Sequence, residues 1–226
     1  MRKGRPMPRA GTDDATVRRR RCAGRIEGLY AITPDLADTA DLVARVEAAL
    51  EGGACAIQYR NKTADAALKH RQAQALARVT AAQGALYIVN DDAALCAAVG
   101  AGGVHLGEDD GTVAAAREIV GPLCIIGASC YNDFQLAEAA VAAGADYVAF
   151  GSFFPSGVKP AARRADPLLI ERAAALHVPV VAIGGITAQN AGDLKRAGAH
   201  AVAVISAVFD AADVRSAARA IAAVYR

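Results

Sequence analysis

AAGADYVAFG, residues 142–151, joins two halves with different logic. Ala and Gly close a helix, because glycine past the last turn accepts the backbone that ends it. A small residue then leads into Tyr-Val-Ala-Phe, a short apolar run bounded by glycine that reads as a strand buried on both faces. The same order recurs in EGGACAI (51–57), GAGGVHLG (100–107) and RAGAHAVAVIS (196–206). Buried strands alternating with Ala-rich helical stretches are parallel βα units.

Extending this pattern along the chain gives strands at 29–32, 54–59, 86–89, 103–106, 124–127, 147–150, 180–183 and 201–205. Helices are expected near 38–51, 64–82, 92–99, 112–120, 133–143, 167–176, 188–197 and 212–225. Eight such units match an α/β fold of the closed (β/α)8 TIM-barrel class, whereas a doubly wound sheet usually has fewer strands. In such barrels chemistry sits on the loops after the strands. The division expected is a basic, disordered tail over 1–25 and a single barrel domain over 26–226.

The tail holds nine of the chain's 25 Lys and Arg against two of its 23 acids, so the remaining chain is net acidic. A basic tail can bind nucleic acid or an acidic surface, but this one lacks apolar periodicity and reads as a disordered leader. No apolar run is long and uncharged enough to span a bilayer, and no signal-peptide core follows the N-terminus. The five cysteines (Cys22, Cys55, Cys96, Cys124, Cys130) share no CxxC spacing and are expected as buried free thiols of a soluble, cytoplasmic protein. His105 lies inside a strand as a hydrogen-bonded core histidine, and without HxxH or HExxH spacing zinc is not expected.

The polar residues gather at the strand ends. Gln58, Arg60 and Lys62 alternate in QYRNK, and on an extended strand alternate side chains reach one place. Two cations and an amide suit phosphate oxygens. The Asn90-Asp91-Asp92 and Glu108-Asp109-Asp110 clusters end the next two strands. Carboxylates beside an anion site make sense if Mg²⁺ lies between, since that ion is held by one or two carboxylates plus substrate phosphates. Helix N-capping is the alternative for Asp91 and Asp110, a role that Asp92 and Asp109 can take instead. Ser129 ends strand five, Ser156 and Lys159 follow strand six, Gly184-Gly185 follows strand seven and Ser206 follows strand eight. The last two loops are either tight βα turns or a second phosphate site, the place where barrels often bind phosphate.

From Gly28 onward the chain resembles the thiamine-phosphate synthase (thiamine-phosphate pyrophosphorylase) family. The resemblance rests on LYAIT, QYRNK, NDD, GVHLGEDD, GAS, DYVAFGSFFPSGVKP, VVAIGGIT and AVAVIS, in order. It implies a transferase of thiamine biosynthesis that joins a pyrimidine diphosphate to a thiazole phosphate and releases diphosphate. It further implies Gln58, Tyr59, Arg60, Asn61, Lys62, Asn90, Ser129 and Lys159 on the pyrimidine diphosphate, with Arg60, Lys62, Ser129 and Lys159 serving the chemistry. Asp91 and Asp110 would bind Mg²⁺, and Ser156, Gly157, Val158, Gly185, Ile205 and Ser206 would contact the thiazole phosphate. The partners implied are two phosphorylated small molecules, with no nucleic acid and no membrane; self-association into a homo-oligomer is compatible with this.

Three positions depart from the family pattern. Val158 replaces a usual Thr, Glu108 an often-found Gln, and Tyr131 an often-found His. A related thiazole tautomerase with this fold uses a histidine in the region of Tyr131, so Tyr131 with an intact QxRxK favours the synthase. The alternatives are a metal-independent isomerase of that kind and a regulator that binds thiazole or thiamine phosphate without turnover.

Overall fold

Continuous apolar runs fix the strands. GLYAI and AVAV are buried at every position, which only a sheet covered on both faces allows. The computed structural model describes residues 10–155 and 164–226. Its strands are β1 (Gly28–Ile32), β2 (Ala54–Tyr59), β3 (Leu86–Asn90), β4 (Gly103–Leu106), β5 (Ile125–Tyr131), β6 (Tyr147–Gly151), β7 (Val180–Ile183) and β8 (Ala201–Val204). They pair in sequence order as a closed parallel barrel, the expected fold. Helices α1 (Ala10–Ala23), α2 (Thr39–Glu51), α3 (Ala66–Ala82), α4 (Ala93–Val99), α5 (Val113–Val120) and α6 (Phe134–Ala142) accompany the first part of the chain. Helices α7 (Leu168–Ala173), α8 (Ala191–Arg196), α9 (Ser206–Phe209) and α10 (Val214–Ala222) complete it.

The alternation of strand side chains divides the core in two. Tyr30, Ile32, Ala56, Ile88, Ile125, Tyr147 and Val181 pack in one buried cluster inside the barrel. Leu29, Ile57, Tyr59, Tyr87, Val104, Val148 and Phe150 pack in the larger cluster between strands and helices. Each inward position therefore belongs to a short list, and polar residues on it are conspicuous. Gln58, Asn90, His105 and Ser129 are among them, with the hydroxyls of Tyr30 and Tyr147, and all line one part of the barrel.

Residues 10–23 form helix α1 rather than an irregular tail. Ala23 and Ile26 are 1% exposed and join the interior cluster. Arg19 pairs with the buried Asp146 and donates to the Pro122 carbonyl at 2.9 Å. Fixed contacts to the barrel, not apolar periodicity, hold this basic segment.

Strand β5 runs to Tyr131 rather than ending at 127, so Ser129 lies within it. The cysteines are free: Cys96, Cys124 and Cys130 are buried and Cys22 and Cys55 half-buried. Among the described residues no helix is long and apolar enough to cross a membrane.

Candidate active site

A cavity of about 560 Å³ opens where the strands end. Gln58, Arg60, Asn90 and Ser129 line one side, and Gly184, Gly185, Ile205 and Ser206 line another. Seven expected site residues, all of these but Gly184, thus meet in one space, although they come from strands far apart in sequence.

The QYRNK segment shows how the strand sorts its side chains. Gln58 and Arg60 face the cavity. The Tyr59 and Asn61 side chains do not, which leaves their backbone as the part of these residues at the strand end that can meet a ligand. The Tyr59 hydroxyl donates to Gln72 Oε1 at 2.9 Å, and Asn61 Nδ2 donates to the same oxygen at 3.0 Å and to the Leu36 carbonyl at 2.8 Å. Both are buried toward α3, because odd positions of this strand point away from the even ones. Asp35, a residue without a motif of its own, organises the loop. It accepts from Arg60 Nη1 at 3.1 Å and from the Lys62 backbone N–H at 2.8 Å. Thr33 Oγ1 and the Arg60 backbone exchange two further hydrogen bonds at 2.9 Å.

Lys62, Asp91 and Asp110 are not part of the cavity lining but form a charged group of their own. The Lys62 ammonium donates to Asp91 Oδ2. Asp92, not Asp91, caps α4, accepting from the Leu95 N–H at 2.8 Å. Helix α5 is capped by Thr112 rather than by Asp109, the expected alternative. Asp91 and Asp110 are therefore free of helix capping. Asp91 holds a left-handed backbone with φ 64°, and its N–H bonds the His105 carbonyl at 2.8 Å. Asp110 Oδ2 accepts from the Gly107 N–H at 2.8 Å. Burial, then the adjoining Asp91 carboxyl, push Asp110 above its ordinary pKa, while the Gly107 N–H and the Lys62 charge act the other way.

Two carboxyl groups in contact suit a shared cation. Among the described residues no group of three or more His, Cys, Asp or Glu could enclose a metal. A cation held by Asp91 and Asp110 would complete its shell from water and ligand phosphates, as Mg²⁺ commonly does.

Along the floor of the cavity, which all five of its residues line, the barrel interior carries a polar thread. Gln58 Nε2 donates to the Tyr30 hydroxyl, which bonds the Tyr147 hydroxyl, which bonds His105 Nδ1; His105 Nε2 bonds Ser129 Oγ. Each of the four contacts is 2.9 Å. His105 is the hydrogen-bonded core histidine expected. Burial lowers its pKa to about 4, against a smaller opposing effect of the Asp110 charge, and keeps the imidazole neutral. Tyr30 and Tyr147 are the residues that motif reading missed. Their signal was only that LYAIT and DYVAFG each place a tyrosine at an inward strand position.

The other side of the mouth is built from backbone. Gly184 and Gly185 have φ 105° and 63°. An added Cβ on Gly184 would sit 2.0 Å from Ser152 Oγ, and one on Gly185 would sit 2.2 Å from the Pro155 carbonyl. Glycine here lets the loop after β6 pack directly on the loop after β7. Ser206 is exposed at the start of α9, a short helix absent from the expected elements. Ser156, Gly157, Val158 and Lys159 lie outside the described residues.

Against this geometry, the model of the family described as thiamine monophosphate synthase matches residues 29–208. A thiamine-phosphate synthase from Chromobacterium violaceum is 57% identical over 198 residues, covering 88% of this chain and 96% of that protein. One from Thiobacillus denitrificans is 56% identical over 192 residues, covering 84% and 91%. Among solved structures, the thiamine phosphate pyrophosphorylase of Pyrococcus furiosus superposes with a TM-score of 0.79 at 37% identity. That match covers 89% of this chain and 96% of the other. The matched region includes every strand of the barrel except the first residue of β1, as well as the charged rim and the glycine-rich rim, and the chain belongs to the thiamine monophosphate synthase family.

Proposed function

We propose that this barrel mouth joins 4-amino-2-methyl-5-(diphosphooxymethyl)pyrimidine to 4-methyl-5-(2-phosphooxyethyl)thiazole, giving thiamine phosphate and diphosphate. The observation that carries the reading is the single rim gathering Arg60, Lys62, Asp91 and Asp110 beside a cavity lined by Gln58, Asn90 and Ser129. Such a rim suits a departing polyanion, and a substitution in which that group leaves first needs no protein nucleophile.

The substitution is dissociative. The methylene C–O bond breaks, and its electron pair leaves with the diphosphate. Arg60 and Lys62 stabilise the charge growing on that group, where fixed cations act more strongly than in water. Asp91 and Asp110 would hold Mg²⁺, which when bound neutralises diphosphate oxygens. Lys159 is assigned to the same anion. The thiazole nitrogen then gives its lone pair to the pyrimidine methylene cation, forming the C–N bond without proton transfer. Gly185, Ile205 and Ser206, with Ser156, Gly157 and Val158, are assigned to the thiazole phosphate, which puts the two substrates on opposite sides of one mouth. Holding both partners replaces a bimolecular encounter by an intramolecular one. The activity is assigned to the cytoplasm, where a reducing environment suits five free cysteines.

The test is direct. The purified chain with both substrates and Mg²⁺ should form thiamine phosphate and diphosphate in equal amounts. Absence of product under those conditions would refute the reading, and turnover of the thiazole phosphate alone after thorough chelation would favour an isomerase instead.

A further inference from the structure

The polar thread in the barrel interior has a direction. Gln58 donates its amide N–H to the Tyr30 oxygen. The single Tyr30 proton is then the one available to the Tyr147 oxygen, and the Tyr147 proton goes to His105 Nδ1. A neutral imidazole that accepts at Nδ1 carries its hydrogen on Nε2, which donates to Ser129 Oγ. Among the described residues, two groups at the ends take no further hydrogen bond. The Gln58 carbonyl oxygen is an acceptor, and the Ser129 O–H is a donor. Both residues line the cavity.

Packing does not require this thread. The surrounding interior is apolar, with Ile32, Ile88, Ile125 and Val181, and phenylalanine at 30 and 147 would occupy nearly the same volume. Tyr30 and Tyr147 are 1% and 0% exposed, so burying their hydroxyls costs desolvation that only complete pairing offsets. The barrel even makes room for the ring: a Cβ on Gly127 would fall 2.0 Å from Tyr147 Cζ. His105 stacks on that ring, with centroids 5.5 Å apart and planes 28° apart.

We propose that Tyr30, Tyr147 and His105 are positioning residues that couple Gln58 to Ser129 across the barrel. The acceptor on one wall and the donor on the other are then set together for an aminopyrimidine, which presents an amino donor and ring-nitrogen acceptors. This rests on the assignment of Gln58 and Ser129 to the pyrimidine diphosphate. Because every hydroxyl has one proton, reversing one end would reverse all the others, so the two walls act as a unit.

Calorimetric titration of the pyrimidine diphosphate with Mg²⁺, and separately of the thiazole phosphate, tests the coupling without requiring turnover. Tyr147→Phe removes one oxygen and keeps the ring. It should weaken the pyrimidine diphosphate roughly tenfold, as loss of one neutral hydrogen bond does, and leave the thiazole phosphate within about twofold. Ser129→Ala should weaken the pyrimidine diphosphate less in the Tyr147→Phe background than in the wild type, as expected for residues in one network. Tyr30→Phe should repeat the pattern and serves if Tyr147→Phe does not fold. Effects that simply multiply, or equal weakening of both ligands, would overturn the proposal by reducing the thread to packing. Synthase turnover of the wild type separately decides the function: turnover with multiplying effects rejects the coupling alone, and a wild type that does not bind the pyrimidine diphosphate rejects both.

Discussion

The two sides of the barrel mouth are built from different chemistry. The rim after β2 to β4 uses side-chain charge: Arg60 and Lys62 are arranged by Asp35, and Lys62 pairs with Asp91 beside Asp110. The rim after β7 and β8 offers Gly184, Gly185, Ile205 and Ser206, with no charged side chain among them. A leaving group that gains charge during reaction needs cations and a metal. A phosphate that serves only as a handle needs hydrogen bonds and shape. The difference in chemistry supports the division of labour we propose, with reaction on one side and holding on the other.

Removing the metal should break the charged side most completely. Chelation with EDTA is expected to abolish product formation, Mg²⁺ to restore it, and Asp110→Asn to need more Mg²⁺ for half-maximal rate; rate against free Mg²⁺ is the measurement. Next come the cations. Arg60→Ala and Lys62→Ala should each lower kcat by roughly 10²–10³-fold, the usual size of one lost charge-stabilising contact. Single-turnover rates at saturating substrates check this, and wild-type rates would remove the residue from the site. On the backbone side the expected damage is to stability. Gly184→Ala must place a Cβ against Ser152 at positive φ, and about 1–3 kcal/mol of unfolding free energy should be lost, readable by urea denaturation. The smallest effect is expected for Tyr59→Phe. Its hydroxyl bonds Gln72 on the helix side, so stability should fall by about 1 kcal/mol while KM for both substrates stays constant.

The barrel was legible because period and punctuation repeat. Each Gly-terminated helix and buried strand announces itself locally, and inward positions follow from the two-residue alternation. The same alternation sends the Tyr59 and Asn61 side chains toward α3 while Gln58 and Arg60 face the cavity. The choice of Asp91 over Asp92 depended on which carboxylate caps α4, and that is settled by φ at Asp91 and the Leu95 N–H bond rather than by spacing. Asp35 and the thread through Tyr30, Tyr147 and His105 were illegible for a different reason. They join β1, β2, β4, β5 and β6, and no local pattern encodes a hydrogen bond between residues 117 positions apart. Helix α1 is not legible in the sequence because Arg19 and Ala23 act through contacts with the barrel and not through a repeating apolar face.

The division of the mouth can be tested most directly with one charged and one uncharged site residue. Calorimetry would measure each substrate separately, in the presence of Mg²⁺, against Arg60→Ala and Ser206→Asp. Arg60→Ala should weaken the pyrimidine diphosphate and spare the thiazole phosphate. Ser206→Asp, which sets a carboxylate where the second phosphate is assigned, should do the reverse. Equal weakening of both ligands by either variant would contradict a mouth with two separate anion sites.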